Sequence, residues 1–356
     1  MPSDPVFPAH AAVLVLPHIR VQNANAISSP MTWGFPAITA FTGLMTALER
    51  RLGRDAGIAF YGVGVICHGF EAQVTSAGYT RAFHLTRNPV LANGSTAAIV
   101  EEGRVHLDVT LVFEVQLADA HRGDAERTAL AERVAHQLAG MRLAGGSVMP
   151  ALPGPARRPM RPTLDLLPDE GMDQGDARRK QFRRLARRCL PGFALVSRDD
   201  LLQTRLAELR ISDPTATALD AWLDLSRLNL RATQRAPKPG DEGPPKVEWV
   251  SDPRAGWTVP IPVGFAALSD VHAPGSVSGA RDMTTPFRFV ETVWSMGQWI
   301  SPHRLKGLGD LVWSTHHQPD HPNEHGLYRC RNHYTPDYTP DHTSAMPADL
   351  DTSTQD

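Results

Sequence analysis

The sequence predicts an α+β fold, and three observations carry that prediction. Apolar residues alternate strictly over 104–117, where Val105, Leu107, Val109, Leu111, Phe113, Val115 and Leu117 fall on one face of a strand. They recur at helical spacing over 37–52, as Phe41, Leu44, Met45, Leu48 and Leu52. Taken in order, the first part of the chain reads strand, helix, strand, strand, helix, strand.

The elements follow one by one. Residues 12–22 form the first strand, with Val13, Leu14, Val15 and Leu16 as its buried run. Pro36 stands where the first turn of the 37–52 helix tolerates proline. Residues 58–69 (IAFYGVGVICHG) are rich in β-branched and aromatic residues and read as a strand. A long excursion over 70–100 leads to the alternating strand, and 124–140 forms the second helix before RLAGGSVMP. This βαββαβ order is the ferredoxin-like plan that RNA-recognition motifs share. Residues 1–150 are therefore read as a ferredoxin-like, RNA-recognition-type core. Residues 151–177, rich in proline, glycine and acid, are expected to be an irregular linker, and 178–231 a basic helical element. A flexible linker follows at 232–247, an irregular C-terminal lobe at 248–334 and a disordered tail at 335–356.

Composition narrows the function. Cys67, Cys189 and Cys330 are far apart and odd in number, so no disulfide framework is expected, and a reducing cytoplasm fits best. The early apolar run Ala11–Leu16 is too short for a signal core or a membrane span. The net charge of −2 hides an asymmetry: residues 335–356 hold five acids and no Lys or Arg, and without them −2 becomes +3. Basic charge matters here only where it is local.

The first strand runs into amides. Gln22, Asn23, Asn25, Ser28 and Ser29 follow it, with Trp33 and Phe35 close behind. Amides reach base edges or phosphates and aromatics stack on bases, a combination suited to unpaired nucleotides. The competing reading is an Asn/Ser-rich turn bonded to its own backbone. The strongest charge signal is DARRKQFRRLARRCL, 176–190. Lys180, Arg183, Arg184, Arg187 and Arg188 repeat at helical spacing, and Phe182, Leu185, Ala186, Cys189 and Leu190 repeat it two residues later. Two residues advance a helix by about 200°, so one face packs and the other is a cationic strip for RNA or a partner protein. A solvated face is the bland alternative. In MRLAGGS, Gly145 and Gly146 beside Arg142 allow a phosphate close to the backbone, though the spacing of a nucleotide-binding loop is absent. Arg87, Asn88 and Arg104 add polar groups near the sheet; alone, each arginine reads as a surface ion pair.

His316, His317, His321, His325, Cys330 and His333 cluster late in the chain, but Pro319 and Pro322 break the helix that would align them, so no metal or other cofactor is expected. No catalytic motif is visible. His18, His68 and His84, on or near strands, are the candidates for a general base if the chain cuts RNA.

Ten segments resemble one family: QNANAISSPMTWGFP, FTGLMTALERR, GVGVICHGFEAQV, LTRNP, GSTAAIVEEGR, MRLAGGS, RRLARRCLPGFALVSR, GWTVPIPVGFAALS, RFVETVW and WISPHRL. They resemble the small, non-catalytic subunit of the type I-F CRISPR surveillance (Csy) complex. They span most of the chain up to about Tyr328, while 150–177, 232–247 and the stretch after Tyr328 show little likeness. The resemblance implies an RNA-recognition-type core with an inserted thumb-like element and no enzymatic activity. It implies that the chain holds the 5′ handle of the guide RNA (crRNA), pairs with the large subunit and meets the first backbone subunit. Target DNA is engaged only indirectly, through base pairing with the guide. The alternative is a ferredoxin-like endoribonuclease that cuts precursor crRNA; a third reading is a protein scaffold whose basic helix meets an acidic partner.

Overall fold

The computed structural model describes residues 9–78, 80–87, 90–150, 161–168, 175–234, 247–252, 254, 256–318 and 326–336. Among these, eleven strands join one antiparallel sheet. In chain order they are β1 (Ala9–Asn25), β2 (Ile58–Ala72), β3 (Arg104–Ala118), β4 (Arg142–Leu143), β5 (Gly146–Met149), β6 (Thr163–Leu166), β7 (Phe193–Ser197), β8 (Thr258–Ala267), β9 (Val290–Ile300), β10 (Val312–Gln318) and β11 (Leu327–Asn332). The helices are α1 (Ile38–Leu52), α2 (Asp124–Ala139), α3 (Gly175–Arg188), α4 (Asp199–Ser212), α5 (Ala218–Ser226) and the short α6 (Leu308–Leu311). The α+β class expected from the sequence is the class observed.

The N-terminal part of the sheet has the order β2-β3-β1-β5-β4, and β6 pairs with the N-terminal half of β1. Long ladders hold its centre, with Leu14 opposite Phe113 and Leu16 opposite Leu111. One face is apolar because the strands alternate. Leu14, Leu16 and Val21 of β1 and Val109, Leu111 and Phe113 of β3 turn to it. The helices α1 and α2 cover that face with Phe41, Leu44, Met45 and Leu48, and with Leu130, Val134 and Leu138. Each such side chain contributes about 1.5–3 kcal/mol by leaving water.

The other face is apolar at one end only. Val13, Val15, Ile66 and Val112 lie there, and α3 packs on them with Phe182, Ala186 and Cys189. Lys180, Arg183, Arg184, Arg187 and Arg188 of α3 are exposed, as the two-stripe pattern predicted, whereas Arg178 is half-buried and donates from Nε to the Pro168 carbonyl at 2.6 Å.

The segments read as a linker and an irregular lobe contribute strands. β6 lies inside 151–177, and β8 to β11 inside 248–334. From β2 the pairing continues through β10, β11, β8, β9 and β7, and β7 returns to the same β2 edge at Cys67 and Ile66. That ring closes around Trp313, which is fully buried and donates from Nε1 to the Leu195 carbonyl at 2.8 Å. Closure needs Gly62 and Gly64: a Cβ at Gly62 would lie 2.2 Å from Val312 Cγ1, and one at Gly64 2.5 Å from Leu311 Cγ. These pairings join residues far apart in sequence, which local periodicity cannot reveal.

Among the described residues, three ribbons stand off the main sheet. The 70–100 excursion carries strands Val74–Ala77 and Thr80–Arg87, and Ile99–Glu102 straddles its end. Ile27–Ser29 pairs with Thr32–Trp33, and Leu230–Gln234 pairs with Val247–Ser251.

Candidate nucleic-acid interface

Beyond the footprint of α3, the second sheet face becomes polar. On β3 the alternation that puts Val112 under the helix puts Thr110, Asp108 and His106 on the same side. On β1 the corresponding residues are His18, Arg20 and Gln22, and Arg20 lies opposite Asp108. Gln22 lies opposite Ser147 of β5, and Ser147 opposite Arg142 of β4, so this polar row runs to the sheet edge. The basic stripe of α3 and the amide run therefore belong to one side of the sheet, at opposite ends of β1.

The amide run is shaped by a bulge between Val21 and Ala24. Asn23 sits at φ 57°, a left-handed conformation that asparagine tolerates better than most residues. Its backbone N–H donates to His106 Nδ1 at 3.1 Å. Accepting there places the neutral ring's proton on Nε2. The side chains of Gln22, Asn23 and Arg142 are exposed and make no hydrogen bond among the described residues. The hairpin of β4 and β5 turns through Ala144 and Gly145, both at positive φ, and the Ala144 carbonyl accepts from Asn25 N–H at 2.8 Å. Gly146 lies against the bulge: a Cβ there would come within 2.7 Å of Ala24 N and 2.8 Å of the Gln22 carbonyl. Gly145 is exposed at the turn, whereas Gly146 is buried and fixes where the hairpin docks.

Other residues of the amide run are occupied by the fold. Asn25 closes a local turn, accepting from Ile27 N–H at 3.0 Å and donating to the Ile27 carbonyl at 2.7 Å. Ser29 is 8% exposed and accepts from Trp294 Nε1 at 2.9 Å. The hydroxyls of Ser28 and Ser29 lie 2.8 and 2.6 Å from Thr32 Oγ1. Phe35 stacks on Phe41 at 5.5 Å and meets Trp299 edge-on at 4.8 Å, so it anchors α1. These groups, grouped with the others on sequence alone, are turn and core residues, the self-bonded turn that competed with the RNA reading. Trp33 is different: 51% exposed, edge-on to Phe83 at 5.6 Å, it keeps a face open to stacking.

The arginines divide in the same way. Arg104 is paired with Glu102 at 2.8 Å, and that bond holds the Glu102 carboxyl below its ordinary range. Lys180, Arg183, Arg184, Arg187 and Arg188 are exposed and form no ion pair among the described residues. Arg87 ends its ribbon strand, with its side chain outside the description, and Asn88 lies outside the described residues.

The candidate bases also separate. His18 and His68 are neighbours, with ring centroids 4.2 Å apart, while His84 sits on the 80–87 ribbon. His68 is committed on both nitrogens. Its Nδ1 lies 2.7 Å from the Pro191 carbonyl and must donate, so Nε2, 2.7 Å from Thr110 Oγ1, accepts. Burial pushes its pKa down. His18 Nδ1 lies 3.0 Å from Asp108.

His316 and His317 are on β10 with undescribed side chains, and His321 and His325 lie outside the described residues. Among the described residues no group of three His, Cys, Asp or Glu is placed to hold a metal ion. The three cysteines are free thiols, each pushed up to about 11 chiefly by burial. Sequence reasoning passed over Arg20, His106, Asp108 and Ser147; the alternation of 104–117, followed on its polar positions, would have found His106 and Asp108.

Comparison with known proteins identifies the family of the chain. The family model for CRISPR-associated protein Csy2 matches residues 14–330. CRISPR-associated protein Csy2 of Pseudomonas aeruginosa (strain UCBPP-PA14) is 49% identical over 320 residues, 89% of this chain and 94% of that protein. Both matches bear out the resemblance to the type I-F Csy proteins. The chain belongs to the Csy2 family of CRISPR-associated proteins.

Proposed function

We propose that this chain is the guide-RNA-holding subunit of a type I-F surveillance complex, gripping the 5′ handle of crRNA without cutting it. The observation that carries this is the shared side of the sheet: five unpaired cations of α3 at one end of β1, and Gln22, Asn23 and Arg142 at the other. Arginine and lysine neutralise phosphates while amides and Trp33 meet splayed bases. The strand order β5-β1-β3-β2, with α1 and α2 on one face, supports the ferredoxin-like, RNA-recognition-type plan for the core.

Protein partners have their own surface. No residue of α4 is buried, and Ile211 on it is 86% exposed. The 230–234 and 247–251 ribbon leaves Leu230, Val247, Trp249 and Val250 in solvent. These elements form the thumb-like projection for the large and first backbone subunits, because so much exposed apolar surface marks an interaction site. The complex acts in the cytoplasm and engages target DNA through the guide. Recovering the complex from its host and sequencing its RNA tests the role. Handle-bearing guides are expected; a complex without RNA overturns it.

One observation favours a second reading. His18, backed by Asp108 and exposed, resembles a general base held by a carboxylate. Incubating the complex with repeat RNA in chelator separates the two. Site-specific cleavage that His18→Ala abolishes would make the chain a nuclease; intact RNA is the expected result.

A further inference from the structure

Between α3 and the sheet lies a groove of about 240 Å³. Its apolar lining comes from Val13, Val15, Phe182, Leu185 and Leu308. Gln181, Asp165, Arg184 and Arg188 line it with polar groups. Gln181 Oε1 is buried and has no hydrogen-bond partner among the described residues. The amide orientation is fixed by its neighbour: Nε2 donates to the Leu166 carbonyl at 2.9 Å, and the reverse placement would set two oxygens against each other. The orphan is thus an acceptor. Thr163 Oγ1, a second buried orphan, sits two residues before Asp165 on the same face of β6. A buried acceptor left unpaired is costly, so one beside an open groove points to a donor from outside.

Charge selects the occupant. An acidic side chain entering the groove would meet Gln181 Oε1 and Asp165; a basic one would meet Arg184 and Arg188. A nucleotide satisfies both, since its base edge donates and its phosphate is anionic. The volume lies below the roughly 300–1,000 Å³ of sites for drug-sized ligands and is large enough for a single base.

We propose that this groove is a subsite for a single unpaired nucleobase bearing an exocyclic amino group, whose N–H is accepted by Gln181 Oε1 while Arg184 and Arg188 neutralise the adjoining phosphates. The assignment rests on the RNA-holding role proposed above. Uracil is disfavoured, because its N3–H lies between two carbonyl oxygens that the acceptors repel. The groove and the amide run are joined by β1, roughly 20–25 Å from Val15 to Gln22 at about 3.3 Å per residue.

The test uses the full complex freed of its RNA. Binding of fluorescein-labelled eight-nucleotide oligoadenylate is compared with that of the same oligomer built from purine riboside, which lacks the amino group. About tenfold weaker binding of the second is expected, the cost of leaving a buried acceptor unpaired. Gln181→Met should abolish the difference, and Arg184→Ala should weaken both oligomers alike. Equal binding by the native complex, or discrimination that survives Gln181→Met, overturns the subsite while leaving the RNA-holding role intact. Binding of neither oligomer overturns both. If Gln181→Met releases a protein subunit and leaves oligomer discrimination unchanged, the groove takes a protein segment and the proposal fails. The native comparison stands even if the variant folds poorly.

Discussion

Replacing Arg183, Arg184 and Arg187 with glutamate addresses the strip of charge on α3. All three are exposed, while the packing of the helix rests on Phe182, Ala186 and Cys189. Folding stability should therefore change by no more than about 0.5 kcal/mol, as for other surface substitutions. Like-charge repulsion is relieved at the i, i+4 pairs 180/184 and 184/188 but persists at 183/187, so it offsets any change by only about a few tenths of a kcal/mol. Each single-strand phosphate neutralised adds about −0.7 to the slope of log K against log salt. If all five cations of the strip engage phosphates, their slope is about −3.5, and raising salt from about 50 to 200 mM weakens binding about 100-fold. The triple variant leaves Lys180 and Arg188, so its slope should fall to about −1.4. The assay is fluorescence anisotropy of a labelled handle RNA at four salt concentrations, with a urea melt as the folding control. An unchanged slope in a folded triple variant would refute the reasoning and leave α3 a solvated face.

Three further outcomes are expected. Gly146→Val should destabilise the protein by about 1–3 kcal/mol, an overpacking cost, because its Cβ meets the Ala24 backbone at 2.7 Å. It should also weaken handle binding; a neutral urea midpoint would contradict that packing. His68 has a pKa lowered by burial, so the unfolded state binds more protons between its folded pKa and the ordinary value of 6.5. Its stabilising contribution is present above that value and is lost as pH falls below it; His68→Asn should flatten the fall in urea midpoint between pH 7.5 and 5.5. Trp249→Asp, on a ribbon with 67% of that indole exposed, should release the protein partners after RNase treatment without lowering RNA affinity; retained partners would remove the ribbon from the interface.

The sequence was most readable where local periodicity decides structure. The alternation of Val105 to Leu117 and the spacing of Phe41 to Leu52 predicted β3 and α1 to within two residues. The two stripes of 176–190 predicted which face of α3 packs. Long-range pairing was not readable. Nothing near Gly62 announces Val312 as its neighbour, and Pro260 and Pro262 argue against the strand in which they lie. They are accommodated because the pairing of β8 with β11 spans only Gly264–Ala266. The amide run was half legible for a similar reason. Composition offered Asn25, Ser28 and Ser29 on equal terms with Gln22 and Asn23, but only the bulge, the turn and Trp294 decide which stay free. The groove at Gln181 needs β1, β6 and α3 together, so no single segment foretold it.

Ultraviolet cross-linking of the native complex, followed by mass spectrometry of the RNA-linked peptides, tests the central claim most directly. The account predicts handle nucleotides linked to peptides of the Gln22–Trp33 region and of α3. RNA linked only to other subunits, with both of these peptides clean, would contradict it.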